Sequence, residues 1–358
     1  MEQKSNNNLI ITVLIATVFG LLSGVVGYLV LGSIFYSWFG QVNLNEKNGN
    51  VVIEQPRNVV VSQDLQIKQV ENNILPTLAT FYPAKKAVNI IDKVYLPSEA
   101  LGQGIVLTAD GWLVTSDQVL TNLSGDYVVV GYQNKQYTIE QMIHDSLTGV
   151  VFAKISANNL TVVQWGDSDK LIPGQLLVGI TERKKVVFTN VGKIDYEFIT
   201  RQDLWQSSEN LGKKISLALA SDMVSEGMAM ADFKGQVLGL MRRGQMLPAN
   251  YLMVAIKMVL EKQAIKYPTL GIKYLDLSHV DGVLNIADNG ALVAGPITKT
   301  SGAYGKLLEN DVIKKVDGVE LNAFKSLSEI LRGYRPGDKI DLTVLRKNQE
   351  VIIEVQLN

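Results

Sequence analysis

The chain has 358 residues, enough for two or three domains that each have a core. Its 34 basic and 35 acidic residues are dispersed, which argues against a nucleic-acid-binding surface because such surfaces cluster Lys and Arg. It has no cysteine, which excludes disulfides, thiolate nucleophiles and Cys-ligated metals. It has only two histidines, His144 and His279. With no metal-binding motif either, the sequence predicts no metal site and no cofactor.

The N-terminal region contains a charge-free run of 23 residues, LIITVLIATVFGLLSGVVGYLVL (9–31). As a helix, this run is long enough to cross a hydrocarbon layer of about 30 Å. The aromatic segment FYSWF (35–39) follows, and Tyr and Trp favour the membrane–water interface. A cleaved signal peptide is the alternative, but its apolar core is usually about 7–15 residues long.

We therefore predict a cytoplasmic tip and an uncleaved single-pass anchor over residues 1–39. Lys4 precedes the run and the next cation is Lys47, a pattern that favours a cytoplasmic N-terminus. The predicted location is the cytoplasmic membrane, with the bulk of the chain outside the cytoplasm.

The rest of the chain divides into three parts. Residues 40–75 are predicted to be a polar spacer that ends in a short helical packing element, QDLQIKQVENNIL. Residues 76–265 contain many short apolar runs between Gly, Asp and Asn, typical of an antiparallel sandwich or barrel, and close with a helix over 248–265. Residues 266–358 are predicted to form a separate small α+β unit. The runs in the middle part are GIVLT, WLVTS, DYVVVGY, VVFAKI, LLVGIT, KVVFTNVGKI and VLGLM.

Several longer segments occur in a recognisable order. They are GQGIVLTADGWLVTSDQVL (102–120), DSLTGVVFAKI (145–155), WGDSDKLIPGQLLVGI (165–180), GQVLGL (235–240), TLGI (269–272) and ENDVIKKVDGVEL (309–321). With these segments the chain resembles the HtrA (Deg) family of serine proteases from about residue 70 to its end. The resemblance implies a mainly β fold: a trypsin-like double six-stranded antiparallel β-barrel over 76–265 and a PDZ domain over 266–358. It also implies a role in envelope protein quality control.

The three catalytic positions of that family do not hold catalytic residues here. Carried over one by one, the His, Asp and Ser positions fall on Gln118, Gly149 and Glu226, and a glycine of the oxyanion hole falls on Val224. Serine is a poor nucleophile without a base that is itself held by a third group. A carboxylate at position 226 would repel a developing oxyanion. The resemblance therefore predicts a catalytically degenerate, pseudoprotease-like member that binds peptides without cutting them.

Other interpretations of the barrel stay open at this point. The chain could be a working serine endopeptidase in a different register, with Ser225 or Ser221 as the nucleophile. Asp117 and Glu226 could instead form a carboxylate pair for general acid–base chemistry. Both histidines are predicted to be exposed polar residues and not bases.

The C-terminal unit departs less from the family. A PDZ domain binds a peptide as an added strand, and backbone N–H groups of one loop capture the terminal carboxylate. The resemblance assigns this loop to TLGI (Thr269, Leu270, Gly271 and Ile272) and the receiving edge strand to KYLDL (273–277). The facing helix offers Leu327, Ile330 and Leu331 on one face, although core packing is the alternative role for each of these side chains.

The predicted partners follow from these assignments. They are extended or C-terminal peptides of other proteins, and the membrane through one helix. The resemblance also implies a homotrimer, and a role as a partner subunit in a hetero-oligomer with an active paralogue stays open. No nucleic-acid partner is predicted.

Overall fold

A computed structural model describes residues 13–25, 63–86, 89, 91–195, 205–220, 223–280 and 289–358 of the protein. Residues 13–25 form a helix, α1, inside the predicted anchor, and the ends of that apolar run lie outside the described residues. Within the described ranges, no helix is both long and apolar enough to cross a membrane.

The second helix, α2 (Gln63–Ile74), is the predicted short packing element at the end of the spacer range. Val70 and Ile74 are buried in one hydrophobic cluster with barrel residues such as Val178. This end of the spacer range is therefore packed on the barrels. Most of the remaining spacer lies outside the described residues.

Six strands form the first closed antiparallel barrel, in the order β1-β2-β3-β6-β5-β4. Its interior holds branched and aromatic side chains such as Phe81, Leu113 and Val151, none of them exposed to solvent. Such residues suit a pleated, buried surface, and closure removes free strand edges. The strands are β1 (Leu78–Pro83), β2 (Gly102–Val106), β3 (Trp112–Ser116), β4 (Tyr127–Val130), β5 (Gln136–Asp145) and β6 (Val150–Ile155).

The second closed barrel has the order β10-β13-β12-β11-β7-β8. The helix α3 (Ala249–Leu260) follows it and buries Leu252, Ala255 and Val259 in the cluster that joins the two barrels. This helix is shorter than the predicted 248–265 because Lys262 adopts a left-handed conformation with φ +57°. The strands are β7 (Leu176–Ile180), β8 (Val186–Asp195), β10 (Lys214–Leu217), β11 (Ala229–Ala231), β12 (Val237–Arg242) and β13 (Gln245–Pro248).

In the described residues of the C-terminal domain, a sheet is covered by one short α-helix, α4 (Leu327–Leu331), which begins with a capping box formed by Ser326 and Glu329. Its strands are β14 (Lys273–Asp276), β15 (Ala291–Ala294), β16 (Val312–Val316), β17 (Val319–Glu320), β18 (Lys339–Arg346) and β19 (Gln349–Gln356). The predicted fold class is confirmed in its β architecture: two six-stranded antiparallel barrels and a small α+β domain.

The sheet of the C-terminal domain contains one strand that comes from elsewhere. A three-residue strand, β9 (Trp205–Ser207), lies between β8 and β10 in the chain but pairs antiparallel with β14. The segment KYLDL was predicted to be the edge strand that receives a peptide. In the structure β9 pairs with this edge of β14, so the edge is not free.

Candidate functional site

The three carried-over catalytic positions lie on loops at the junction of the two barrels. Gln118 follows β3 and Gly149 lies between β5 and β6, both in the first barrel, whereas Glu226 precedes β11 of the second. Ser116 links two of them: its Oγ donates to Glu226 Oε2 at 2.7 Å and accepts from the backbone N–H of Gln118 at 3.1 Å. The positions separated in sequence are thus brought together in space.

The third position, Gly149, lies against the side chain of Arg242, which belongs to the second barrel. Its carbonyl oxygen accepts from Arg242 Nε at 2.8 Å and from the backbone N–H of Asp117 at 3.0 Å. Arg242 also forms a bidentate pair with Asp117, at 3.0 Å to Oδ1 and 2.8 Å to Oδ2. A Cβ on Gly149, whose φ is +70°, would lie 2.1 Å from the Arg242 guanidinium. The guanidinium therefore fills the space that a side chain at position 149 would need.

Asp117 is held in its ionised form by this arrangement. Burial of the carboxylate opposes ionisation, but hydrogen bonds from Arg242 and Gln118 and the charges of Arg242 and Arg243 outweigh it and lower the pKa of Asp117. Glu226 Oε1 in turn accepts from the backbone N–H of Arg243 at 2.8 Å. Both carboxylates of the alternative acid–base pair are thus engaged by neighbouring structural groups.

The loop that carries Glu226 is fixed to the first barrel by its backbone. The N–H of Gln103 donates to the carbonyl of Glu226 at 2.8 Å. The next residue, Gly227, has φ +76°, and a Cβ there would lie 1.9 Å from the Gln103 carbonyl oxygen. Val224, at the predicted oxyanion position, packs against the core of the second barrel.

Ser225, the alternative nucleophile, donates its hydroxyl to the Glu182 carboxylate. His144 is exposed on β5, as predicted. His279 lies in the C-terminal domain, 3.9 Å from Asp276, and its side chain is only 15% exposed, so the prediction of an exposed His279 is wrong. In the described residues, neither of these histidines is hydrogen-bonded to Gln118, Gly149 or Glu226. Ser221, the other alternative nucleophile, lies outside the described residues.

A cleft of about 610 Å³ adjoins this junction, and Tyr82, Gln103 and Glu182 are among its lining residues. Burial, followed by the negative charges of Glu182 and Glu99, raises the pKa of Tyr82. The lining also includes Lys93, Arg183 and Lys184, so the cleft presents phenol and amide groups together with charges of both signs. In the described part of the chain, no group of three or more His, Asp or Glu residues could hold a metal ion.

Backbone groups of the predicted carboxylate-binding loop, residues 269–272, form hydrogen bonds with several other parts of the chain. Thr269 exchanges two backbone hydrogen bonds of 2.9 Å with Asn358, and the Leu270 carbonyl accepts from Ser301 Oγ at 2.5 Å. Gly271 has φ +70°, and its N–H donates to a side-chain carboxylate, Glu209 Oε1, at 2.8 Å. The Gly271 N–H is therefore bound by a side-chain carboxylate of the same chain, and capture of a peptide C-terminus by this loop stays a prediction.

The helix residues assigned to the groove belong to the core of the C-terminal domain. Leu327 and Leu331 are almost fully buried there, together with Leu270 and Ile272 of the loop. Ile330 is partly buried against the same cluster. Core packing, the alternative role for these leucines, is the role that the structure describes.

Several residues at these sites were missed in the sequence analysis. They are Ser116, Glu182, Arg242, Arg243 and Glu209. The bonds of Ser116 to Glu226 and of Arg242 to Asp117 join residues 110 and 125 positions apart. The only cue was a pair of arginines directly after an apolar strand, and that pair does not reveal its partner.

Comparisons with known proteins agree with this architecture. The family description "PDZ domain" matches residues 268–357. The chain is 24% identical over 409 residues to "Serine protease Do-like HtrA" of Lactobacillus helveticus, covering 99% of this chain and 96% of that protein. It is also 24% identical to "Periplasmic serine endoprotease DegP" of Escherichia coli (strain K12), over 72% of this chain and 57% of DegP. The chain thus spans a little over half the length of DegP.

Solved structures show the same fold. The HtrA-type protease AlgW with a tripeptide superposes with a TM-score of 0.58 at 20% identity, over 81% of this chain and 96% of AlgW. AlgW with a decapeptide gives 0.56 at 19% identity, over 81% and 98%. With two barrels, a C-terminal PDZ domain and this similarity along its length, the chain shares the fold of AlgW and is similar in sequence to HtrA and DegP.

Proposed function

We propose that the chain is a membrane-anchored HtrA-like pseudoprotease. Its PDZ domain and inactive barrel cleft hold extended or C-terminal peptides outside the cytoplasm, in envelope protein quality control. One observation carries the loss of proteolysis: the Arg242 guanidinium, paired with Asp117, fills the space beside Gly149 where the triad carboxylate would stand.

The chemistry of the junction supports this proposal. Gln118 offers an amide, which does not take up a proton near neutral pH, and Glu226 accepts bonds from Ser116 and Arg243. A peptide carbonyl placed here would meet a carboxylate instead of a pair of N–H donors, so a developing oxyanion would be destabilised. The site is suited to contact with a peptide and not to acyl transfer.

Reaction with a fluorophosphonate tests the loss of proteolysis, because such reagents label only activated serines. The full chain is incubated with a fluorescent fluorophosphonate beside trypsin, and a Ser225→Ala variant serves as the matched control. We expect labelling no stronger than that of heat-denatured chain. Labelling of any serine in the barrels would overturn the pseudoprotease proposal.

A working endopeptidase is the second candidate, favoured by the contact between the Ser225 hydroxyl and the Glu182 carboxylate. A carboxylate is a weak base for a serine hydroxyl because their pKa values are far apart. In the same experiment, this candidate predicts labelling that disappears in both Ser225→Ala and Glu182→Gln.

Peptide binding is supported by the PDZ match and by the Gly271 N–H, which already binds a carboxylate oxygen. The probe is a decapeptide pool randomised at its last four positions, made with free and with amidated C-termini. We expect the full chain to enrich peptides from the free-acid pool only. Equal recovery from both pools would contradict carboxylate capture.

The anchor, the location and the assembly belong to the same proposal. The apolar run supports a single-pass anchor, and the resemblance supports a homotrimer or a hetero-oligomer with an active paralogue. We expect the full chain to stay with membranes after an alkaline carbonate wash. Its release by the wash would contradict anchoring.

A further inference from the structure

A short segment of the chain itself lies along the strand that borders the predicted peptide groove. β9 pairs antiparallel with β14, with Trp205 opposite Leu275 and Ser207 opposite Lys273. The ladder continues one residue further, because the Ser208 N–H donates to the carbonyl of Ile272 at 3.1 Å. The segment therefore runs along β14 and ends at the TLGI loop.

At that loop the segment supplies a carboxylate. Glu209 Oε1 accepts from the N–H of Gly271 at 2.8 Å and from Ser208 Oγ at 2.6 Å. The N–H of Ile272 donates to Ser208 Oγ at 3.3 Å. The other carboxylate oxygen of Glu209 accepts from Ser207 Oγ. Two neighbouring N–H groups of the loop are thus taken up by residues 208 and 209.

The direction of the segment matches that of a C-terminal ligand. Trp205 lies at the Leu275 end of β14, and the chain proceeds towards Gly271, where the carboxylate is bound. A peptide added to this edge with its C-terminus in the loop would form the same antiparallel ladder. A peptide and the segment cannot both pair with this edge of β14.

We propose that residues 205–209 are an internal ligand of the PDZ domain, with the Glu209 side chain in place of a terminal carboxylate. The proposal rests on the proposed peptide binding and assigns its regulation: a C-terminal peptide binds only after it displaces this segment. Because the segment is tethered, its effective concentration at the groove is on the order of millimolar, so it opposes weak ligands and yields to strong ones.

The contacts of residues 205–209 with the C-terminal domain are of a kind that a peptide could displace. Ser208 is its most buried side chain, with 3% exposure, whereas Trp205 is 47% exposed. The segment is therefore held mainly by polar bonds and buries little apolar side chain. A peptide with a large apolar terminal residue would bury more apolar surface and is the class of ligand expected to displace it.

The position of the segment in the chain gives this exchange a consequence for the barrel. Residues 205–209 lie between β8 and β10 in the chain, and these two strands pair with each other in the second barrel, for example Ile194 with Ile215. A peptide that displaces the segment therefore releases a loop that is anchored at both ends in the barrel wall.

Disulfide trapping tests the place of the segment without any ligand. The natural chain has no cysteine, so a Trp205→Cys, Leu275→Cys double variant contains a single possible pair. These positions face each other in the ladder, within the distance that a disulfide spans, and the substitutions leave Ser208 and Glu209 intact. The control is Trp205→Cys with Lys315→Cys, on β16, three strands from β9 in the sheet. We expect rapid oxidation of the first pair only. Equal rates would overturn the internal ligand.

Peptide binding tests the competition, again with the randomised free-acid and amidated pools. We expect the oxidised form of the Trp205→Cys, Leu275→Cys double variant to bind the free-acid pool about tenfold more weakly than its reduced form, since the tethered competitor can no longer leave. Glu209→Gln removes the carboxylate and should strengthen binding several-fold, whereas Glu320→Gln, on the exposed strand β17, should not. Equal binding by the oxidised and reduced forms would overturn the proposal and leave peptide binding intact. Rapid trapping without free-acid binding by Glu209→Gln would instead overturn the proposed peptide function.

Discussion

At the scale of single residues, Gly149, to which the resemblance assigns the aspartate position of the family, makes a structural contact. Its positive φ and the absence of a Cβ allow the Arg242 guanidinium to approach the backbone and bind both the Gly149 carbonyl and Asp117. The position therefore serves as a contact between the two barrels, because Arg242 ends β12 of the second barrel and Asp117 follows β3 of the first.

A Gly149→Ala substitution measures this contact. The new Cβ would collide with the guanidinium and break the bidentate pair, in addition to straining a backbone with φ +70°. Gly174→Ala is the matched control, since Gly174 has φ +84° but no atom within 4 Å of the added Cβ. We expect Gly149→Ala to lower the free energy of unfolding by about 1–3 kcal/mol more than the control, measured by urea denaturation. Equal losses would show that Arg242 moves away without cost.

The same ion pair should make stability depend on pH. The pKa of Asp117 is lowered in the folded chain, so its contribution is fully present above the unfolded value of about 3.9 and is lost as the pH falls through the folded pKa. Asp117→Asn should therefore destabilise the chain at about pH 7 by roughly 1–3 kcal/mol and have little effect at the acid end of its stability range. Urea titrations of both chains at several pH values measure the difference. A difference that does not change with pH would mean that the carboxylate charge is not what Arg242 binds.

At the scale of elements, the turn between β5 and β6 is organised by one buried carboxylate. Asp145 is 1% exposed and accepts from Leu147 N at 3.1 Å, Thr148 Oγ1 at 2.5 Å and Tyr267 Oη at 2.6 Å. Its backbone carbonyl also accepts from the N–H of Gly149 at 2.8 Å. The turn that presents Gly149 is thus tied to the segment that follows α3.

Tyr267→Phe removes one of these donors. Burial and the charge of Asp145 raise the pKa of Tyr267, so the phenol remains a hydrogen-bond donor across the accessible pH range. We expect the substitution to cost about 1.5–3 kcal/mol in the free energy of unfolding, because it removes a hydrogen bond to a buried charge. Tyr304→Phe, at a tyrosine that is 50% exposed, is the control and should cost much less. Similar losses in the two variants would refute the role given to the Asp145 bond.

Which strands could be predicted depended on how they are buried. β6 (VVFAKI) was predicted as a strand because nearly all its residues are buried. β5 (QYTIEQMIHD) was not singled out because only Asp145 is fully buried and polar side chains interrupt its apolar positions. β9 offers only three residues and pairs with β14, which lies 66 or more residues away in sequence. A local pattern carries no information about such a partner.

The site positions were predicted from the family resemblance and not from local sequence patterns. Gln118, Gly149 and Glu226 were assigned from a resemblance that includes the order of whole segments, and the fold brings them to one junction. The groups that occupy the junction, such as Arg242, could not be assigned, since pairing between barrels is set by tertiary packing.

At the scale of the whole molecule, a small cluster of polar side chains forms a contact between the PDZ domain and the second barrel. Glu329 accepts from Tyr251 Oη at 2.8 Å and lies 3.1 Å from Lys213 Nζ. The Arg332 guanidinium stacks on the Tyr251 ring, 3.8 Å from its centroid. Lys213 lies only four residues after Glu209 in the chain. Docking of the domain and occupancy of its groove therefore involve neighbouring residues.

Glu329→Gln should loosen this docking. The amide keeps the size of the side chain but leaves Lys213, whose side chain is only 6% exposed, without its nearest negative partner. In the described residues, Lys213 then keeps only Asp169, whose Oδ1 lies 3.6 Å away, so a buried charge is left with a more distant partner and the docking is weakened. We expect trypsin to cut the exposed connection at Lys262 and Lys266 several-fold faster than in the natural chain, with Glu309→Gln, at an exposed position, as the control.

Because looser docking also frees the ends of the internal ligand, Glu329→Gln should raise the exchange of β9 amides with solvent. Faster tryptic cleavage without faster β9 exchange would show that docking and groove occupancy are independent.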